Sequence, residues 1–468
     1  MQIETDYLVI GSGASAMSFV DVMLQETDAT FAMVDRRPAP GGHWNDAYPF
    51  VRLHQPSSFY GVASRPLGRD RKNEAGLNKG FYELASGVEI TSYYHGLMDD
   101  VFLPSGRVSF HPLCEYAADG EFVSRLSGER HEVNIRKKLV DATRMTTSIP
   151  LTHNRKFEVA EGLVCTPPND LPRLAAEYRS ICVLGGGKTA IDSIVWLLSN
   201  GYPPDAITWV MPRDAWMLNR AHFQPGIEFF EGSIGGLATQ YEILATSRNT
   251  DDICRRMEQA GIWLRLDPSV TPTMFHAATV SETELEQMRR ISNVLRLGHV
   301  QRIEPDKIIL EQGEAAGQSN TLYIDCTASA VADNVGDPTP VFSPGKIALQ
   351  MIRPFQPCFS SAVIAHIEAT IQDDAIKKSL TMPTPMVDTV EDWLSVQAAG
   401  MINQYQWSQN QELSSWIAAC RLDGFGKTIS MVTPDDTQRM AVLERMLRHG
   451  PAAVQNLQRI AQQAGSQT

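Results

Sequence analysis

Two short glycine-rich segments carry residue types and spacing suited to holding a phosphorylated ligand. Gly11-Ser12-Gly13-Ala14-Ser15-Ala16 and Gly185-Gly186-Gly187-Lys188-Thr189-Ala190 both fit G-x-G-x-x-G/A. In such a segment the first glycine permits a tight turn. The second lets pyrophosphate approach bare backbone, and the small third residue lets helix and strand pack closely. The helix that follows offers free N–H groups and a positive dipole end to the phosphates. Asp35 stands at the end of the next strand, where a carboxylate can accept both ribose hydroxyls. The corresponding place after the second motif has no acid. Trp209-Val210-Met211-Pro212-Arg213 ends in arginine instead, whose fork suits a 2′-phosphate. NADPH is therefore expected over NADH, with Lys188 adding charge near the pyrophosphate. Gly187-Lys188-Thr189 also resembles the end of a P-loop, but the leading glycine of that motif would fall at Cys182, inside a strand.

The elements that must position these residues are legible in the apolar pattern. Tyr7-Leu8-Val9-Ile10 and Phe31-Ala32-Met33-Val34 are continuous apolar runs, as in buried parallel strands. Between them Ala16, Met17, Phe19, Val20, Met23 and Leu24 recur at helical spacing. Ile181 to Leu184, a helix carrying Ala190, Ile191, Ile194, Val195, Leu197 and Leu198, and Ile207 to Val210 repeat the unit. Segments such as Val108 to Phe110 and Glu132 to Ile135 read as a sheet meander. Thr166 to Pro172 reads as a linker into the second fold, and Leu322 to Asp325 as a strand returning to the first. Beyond Ser360 the pattern is helical, with Pro434-Asp435-Asp436 suiting a helix start. The expected fold class is α/β: two dinucleotide-binding (Rossmann-like) domains, the second inserted in the first, plus a C-terminal helical segment. The expected bounds are 1–175 and 296–370 for the first domain, 176–295 for the second and 371–468 for the helices.

Composition bounds the function classes. The 468 residues are 43% hydrophobic and 20% charged, with a net charge of −13, which argues against a nucleic-acid binder. Seven scattered cysteines form neither a disulfide framework nor a C-x-x-C pair, and the acidic start is unlike a signal peptide. A reducing cytoplasm is the expected compartment. No uncharged apolar stretch is long enough to span a bilayer. No H-E-x-x-H or Cys/His cluster calls for a metal, and no G-x-S-x-G elbow occurs.

After Asp35 come Pro40-Gly41-Gly42-His43-Trp44, then Tyr48-Pro49, then Val51-Arg52-Leu53-His54-Gln55-Pro56. This stretch resembles the flavin-containing monooxygenases and Baeyer–Villiger monooxygenases, which carry G-G-x-W, a nearby Y-P and a segment lying against the flavin ring. The resemblance implies FAD on the first fold. The implied contacts are Gly11, Gly13, Ala14, Ser15, Ala16, Asp35, Arg36, Gly42, His43, Trp44, Leu53, His54, Gln55, Val133 and Thr143. Trp44 would offer a flat apolar wall with one N–H donor. On the second fold Gly185, Gly187, Lys188, Thr189, Ala190 and Arg213 would hold NADPH. Gln55 stands about where the family places an asparagine beside the flavin's reactive carbon, so Gln55 and Arg52 are the candidate catalytic donors. Asp141-Ala142-Thr143 and Asp325-Cys326-Thr327 resemble the family's connecting segments, with Arg144 and Ala328 in place of glycine. The F-x-G-x-x-x-H fingerprint is absent, since Phe157 to Arg179 contains no histidine.

The reading implied is an NADPH-driven, FAD-dependent monooxygenase. It would oxygenate nitrogen, sulfur or a carbonyl of a small molecule with O2 through a flavin C4a-peroxide. The alternative keeps the fold but oxidises the substrate without NADPH, as an oxidase or dehydrogenase. The C-terminal helices would cap the substrate site or form an oligomer surface, with Trp393, Trp407 and Trp416 read as core residues.

Overall fold

The computed structural model describes residues 2–145, 148–329 and 339–465. The chain opens with β1 (Gln2–Ile10), α1 (Ala14–Glu26) and β2 (Phe31–Asp35), then adds β3 (Val108–Pro112), β4 (Cys114–Tyr116), β5 (Glu121–Ser124) and β6 (Arg130–Asp141). A second strand–helix–strand series follows: β7 (Val164–Thr166), β8 (Ser180–Leu184), α2 (Lys188–Ser199), β9 (Ile207–Val210), β10 (Asn293–Leu295) and β11 (Thr321–Asp325). The chain returns through β12 (Phe342–Ser343) and β13 (Lys346–Ala348) into α3 (Pro357–Thr370). It ends in α4 (Val390–Gln409), α5 (Gln411–Ala419), α6 (Gly424–Ser430) and α7 (Thr437–Gly465).

The first sheet runs β12-β13-β6-β1-β2-β3, with β5 joining β6 and β4 joining β5. Its central strands are parallel, Ile10 lying opposite Val34 on one side and Asp141 on the other. Glycine loop, Asp35 and the Ala142-Thr143 turn therefore leave the same edge of the sheet. This is where open α/β sheets bind ligands. α1 and α3 pack side by side through Phe19, Met23, Phe359 and Val363, all at most 1% exposed. Each such side chain contributes about 1.5–3 kcal/mol by leaving water. The second sheet is wholly parallel, in the order β10-β9-β8-β11-β7.

Leu322 to Asp325 does not return to the first sheet. It is an inner strand of the second, between β8 and β7. Leu322, Tyr323 and Ile324 are buried on both faces, which suits an inner strand of either sheet, so the apolar run alone does not name its partner. The returning strands are β12 and β13. Thr166 belongs to β7, so the Pro-rich run connects two strands of the second sheet. The helices after Ser360 and the start of α7 after Asp436 stand where the sequence puts them. No helix among the described residues is long and apolar enough to cross a membrane.

The C-terminal helices are bolted to the return segment by Asn403 of α4. Fully buried, its Nδ2 donates to the carbonyls of Ile352 and Met382 at 2.7 Å each, and its Oδ1 accepts from Met382 N at 3.1 Å. Asn403→Leu would strand those backbone groups without water. The expected cost is about 2–4 kcal/mol, read as a lower urea midpoint, with an unchanged midpoint contradicting the anchoring role.

Candidate functional site

At the first loop Gly11 adopts φ +100°, and its N–H donates to Val34 O at 2.7 Å. Ser12 N and Ser12 Oγ both donate to Asp35 Oδ2, at 2.6 and 2.7 Å, and Arg37 N donates to Oδ1 at 2.8 Å. Asp35 is thus locked against the loop, with one lone pair of Oδ1 left to accept from a ligand hydroxyl. Ala14, Ser15 and Ala16 form the first turn of α1, which has no side-chain cap and no acidic residue there. Its N–H groups remain available to an anion.

Gly41 N donates to Ser12 O at 2.9 Å, so the Gly41-Gly42 turn docks on the loop itself. Gly42 sits at φ +58°, and a Cβ there would lie 2.9 Å from Gly13 Cα. Only backbone fits between the two segments. This bare cradle, the uncapped helix and the buried carboxylate fit the pyrophosphate and ribose of a dinucleotide.

From Gly42 the chain crosses to the second fold. Trp44 Nε1 donates to Tyr60 Oη at 2.7 Å, which fixes the indole plane. Tyr48 Oη donates to Asp192 Oδ2 on α2 at 2.7 Å, and Phe50 stacks on Trp196 of the same helix. Burial and Asp192 hold the Tyr48 phenol well above its usual range, so it stays protonated. Lys188 pairs with the same carboxylate. His54 lies beside this group. Desolvation, then the charges of Lys188 and Arg220, push its imidazole well below the usual range, leaving it neutral. Arg220 donates to the His54 carbonyl and to Glu284 Oε2 at 2.9 Å. Leu53 is buried and bonded through its N–H to Ala85 O.

Gln55 then enters a cavity of about 330 Å³ roofed by the C-terminal helices. Its walls are largely aromatic and aliphatic: Phe223, Tyr241, Trp263, Phe275, Phe355, Trp393, Met401, Trp407, Phe425 and Ile429. Gln240, Gln356, Gln397 and Gln404 add amides. Arg353 and Asp423 of the lining neutralise one another at 2.8 Å, and Arg353 lies 3.8 Å from the Phe359 ring centroid. A π-helical turn, Glu231–Gly235, borders the space, a distortion frequent at functional sites. Phe355 adopts φ +60°, which is strained for a bulky residue. Trp393 and Trp407 are buried as the sequence suggests, yet they also face the cavity.

The second loop repeats the first. Gly185 N donates to Val210 O at 2.9 Å, as Gly11 does to Val34, so Met211 stands where the first fold has Asp35. A Cβ on Gly185 would meet Cys326 O at 2.6 Å, and one on Gly186 would meet Arg213 O at 2.7 Å. Gly187 faces open space, as an approaching ligand requires. Thr189 and Ala190 continue into α2, whose cap is again bare backbone. The Arg213 fork is engaged: its two terminal nitrogens each donate to Asp388 at 2.7 Å.

The other residues singled out in the sequence are spread more widely. Val133 lies opposite Ile3, at the far end of β6 from the glycine loop that follows Ile10. That is on the order of 20 Å away at the usual rise per residue. Its residue type suits a strand but does not say which end. Arg52 is exposed and donates to Leu84 O at 2.9 Å, outside the cavity lining. Arg36 is exposed, its carbonyl accepting from Arg125. His43 is exposed with its ring tilted against Trp44. Thr143 closes a turn onto Asp141 at the glycine-loop edge. Sequence reasoning missed Tyr60, Asp192, Arg220, Asp388 and Asp423. Each acts through a partner distant in sequence, which no local motif signals. Among the described residues no group of three or more His, Cys, Asp or Glu is placed to hold a metal.

The cradle makes a direct prediction. Gly42→Ala adds a methyl into the Gly13 contact at a left-handed backbone position, so flavin retained per chain should fall severalfold with little change in circular dichroism. Full retention would show that the two loops do not grip a ligand.

No family model matches the chain. Among solved structures, a flavin-containing monooxygenase from Stenotrophomonas maltophilia is 12% identical with a TM-score of 0.44, over 78% of this chain and 97% of that one. Cyclohexanone monooxygenase from Rhodococcus sp. Phi1, bound to NADP+, is 14% identical with a TM-score of 0.47, over 79% and 85%. Likenesses this weak leave fold and chemistry to the chain's own geometry. Two relatives share 43% identity over 421 residues, 90% of this chain and 78% of theirs. They are Uncharacterized protein Rv2000 of Mycobacterium tuberculosis (strain ATCC 25618 / H37Rv) and Uncharacterized protein Mb2023 of Mycobacterium bovis. At that identity and coverage, the chain belongs to the family of these uncharacterized mycobacterial proteins.

Proposed function

We propose that the chain is an FAD-dependent monooxygenase that takes hydride from NADPH and transfers one oxygen atom of O2 to a neutral small molecule, the other leaving as water. One observation carries this reading. The continuous stretch Gly42 to Tyr60 touches the first glycine loop, then the helix of the second, and then enters the apolar cavity through Gln55. Two nucleotide cradles and a substrate-sized space are thereby joined by one segment. FAD bound at the first loop would accept the hydride and activate O2, chemistry that belongs to the cofactor.

The protein's share is binding, orientation and exclusion of water. The bare turns of Gly13 and Gly42 admit pyrophosphate, and Asp35 Oδ1 accepts from ribose. Tyr48, Asp192 and Lys188 fix the helix on which the coenzyme rests. Gln55, in the cavity lining, can donate and accept through one amide. The aromatic walls keep the space dry, which strengthens each polar contact inside. With Arg353 and Asp423 self-neutralised, the lining favours an uncharged, largely apolar substrate with hydrogen-bonding groups for the glutamines. The second unit is proposed to run from Val164 to Asp325, wider than 176–295, because strands of its sheet lie at both ends of that span. The helices from Val390 onward serve as the roof of the substrate site.

A specific observation favours the oxidase alternative: both cations meant for the coenzyme, Lys188 and Arg213, already have carboxylate partners. Rapid anaerobic mixing of the FAD-loaded protein with NADPH, and separately NADH, decides between them. Bleaching of the flavin by NADPH is expected. If neither coenzyme bleaches it and the substrate does, the protein is an oxidase or dehydrogenase. Gln55→Ala should retain flavin reduction but lose product formation by roughly tenfold or more, the scale of losing one aimed donor. Unchanged product formation would remove Gln55 from the chemistry.

A further inference from the structure

We propose that Asp388 tempers the NADPH preference that Arg213 gives the second fold, by occupying on Arg213 the place of a coenzyme 2′-phosphate. The inference rests on the reading that a nicotinamide dinucleotide lies along Gly185 to Gly187. β9 supplies no acid of its own, since Met211 stands where Asp35 stands in the first fold. The carboxylate comes instead from Asp388, two residues before α4. Its two oxygens meet the two terminal nitrogens of Arg213 at 2.7 Å each, the fork geometry that arginine also offers to phosphate. His276 Nε2 adds a third contact to Oδ1 at 2.8 Å. Arg213 and His276 hold the Asp388 carboxyl down at about 2, so it is ionised at any working pH.

Asp388 is also held through its backbone. Its carbonyl accepts from Phe275 N at 2.8 Å, and the next residue, Thr389, caps α4 in a reciprocal capping box with Asp392. The side chain can turn away from Arg213, but the chain keeps the carboxylate in the neighbourhood. A 2′-phosphate must therefore displace one anion and then sit near it. A 2′-hydroxyl has no such cost, because it can donate to the one remaining lone pair of Oδ2. Arg213 is the attractive element for the phosphate and Asp388 the opposing one, and specificity follows from their difference.

The test is calorimetric titration of the FAD-loaded protein with adenosine 2′,5′-bisphosphate and, separately, adenosine 5′-monophosphate. Asp388→Asn keeps the shape and removes the charge. The bisphosphate should bind roughly tenfold tighter, equivalent to about 1.4 kcal/mol, while the monophosphate changes little. Adding Arg213→Ala to that variant should erase the gain. A bisphosphate affinity that does not move, or moves by the same factor as the monophosphate, overturns the inference even though nucleotide binds. If neither probe binds the wild-type or the variant protein, coenzyme binding by the second fold fails too, and this inference falls with it.

Discussion

The site depends on a backbone contact that no side chain could make. Gly42 lies so close to Gly13 that a single methyl group would collide with the loop. That contact starts the segment which runs on to Tyr60, and several contacts that bring the two folds together are attached to it. Tyr48 and Phe50 fasten it to α2, Arg220 grips the His54 carbonyl, and Trp44 closes back on Tyr60. Fixing so long an irregular stretch costs conformational entropy at every residue. The cost is offset by the hydrogen bonds just named and by aromatic burial against both folds.

The C-terminal helices complete this arrangement. Arg421 donates to the carbonyls of Ser58, Tyr60 and Val62, clamping the far end of the segment. Gly424 leaves room for the Phe59 ring, and Gly400 leaves room for Pro354. Arg353 pairs with Asp423, and Arg213 with Asp388, so charges on the α/β body are answered from the helical part. Only the first of these pairs is buried, and breaking it by removing one partner costs more than the pair contributes. The helices are thus coupled to the loop, the cavity and the second fold together.

How much of this was legible in the sequence depends on how local the signal is. Both glycine motifs, their strands and their helices follow from spacing within a few dozen residues. Asp35 was found because its place is fixed relative to the loop. Leu322 to Asp325 was assigned to the wrong sheet, because an apolar run specifies burial but not a partner. Val133 sits at the opposite end of its strand from the glycine loop, which its residue type alone does not reveal. Arg52 has the chemistry of a donor, yet its direction is set by the Leu84 carbonyl. Asp388 and Asp423 carried no signal at all: each is an ordinary surface residue type until a distant arginine reaches it.

The central claim is that the first cradle holds a flavin dinucleotide, and its most direct test is the identity and amount of flavin released on denaturing the purified protein. The account predicts FAD at about one per chain. It also predicts that stripped protein takes FAD back, with quenching of tryptophan fluorescence. A folded protein that carries no flavin and binds none when FAD is supplied would contradict the account at its foundation.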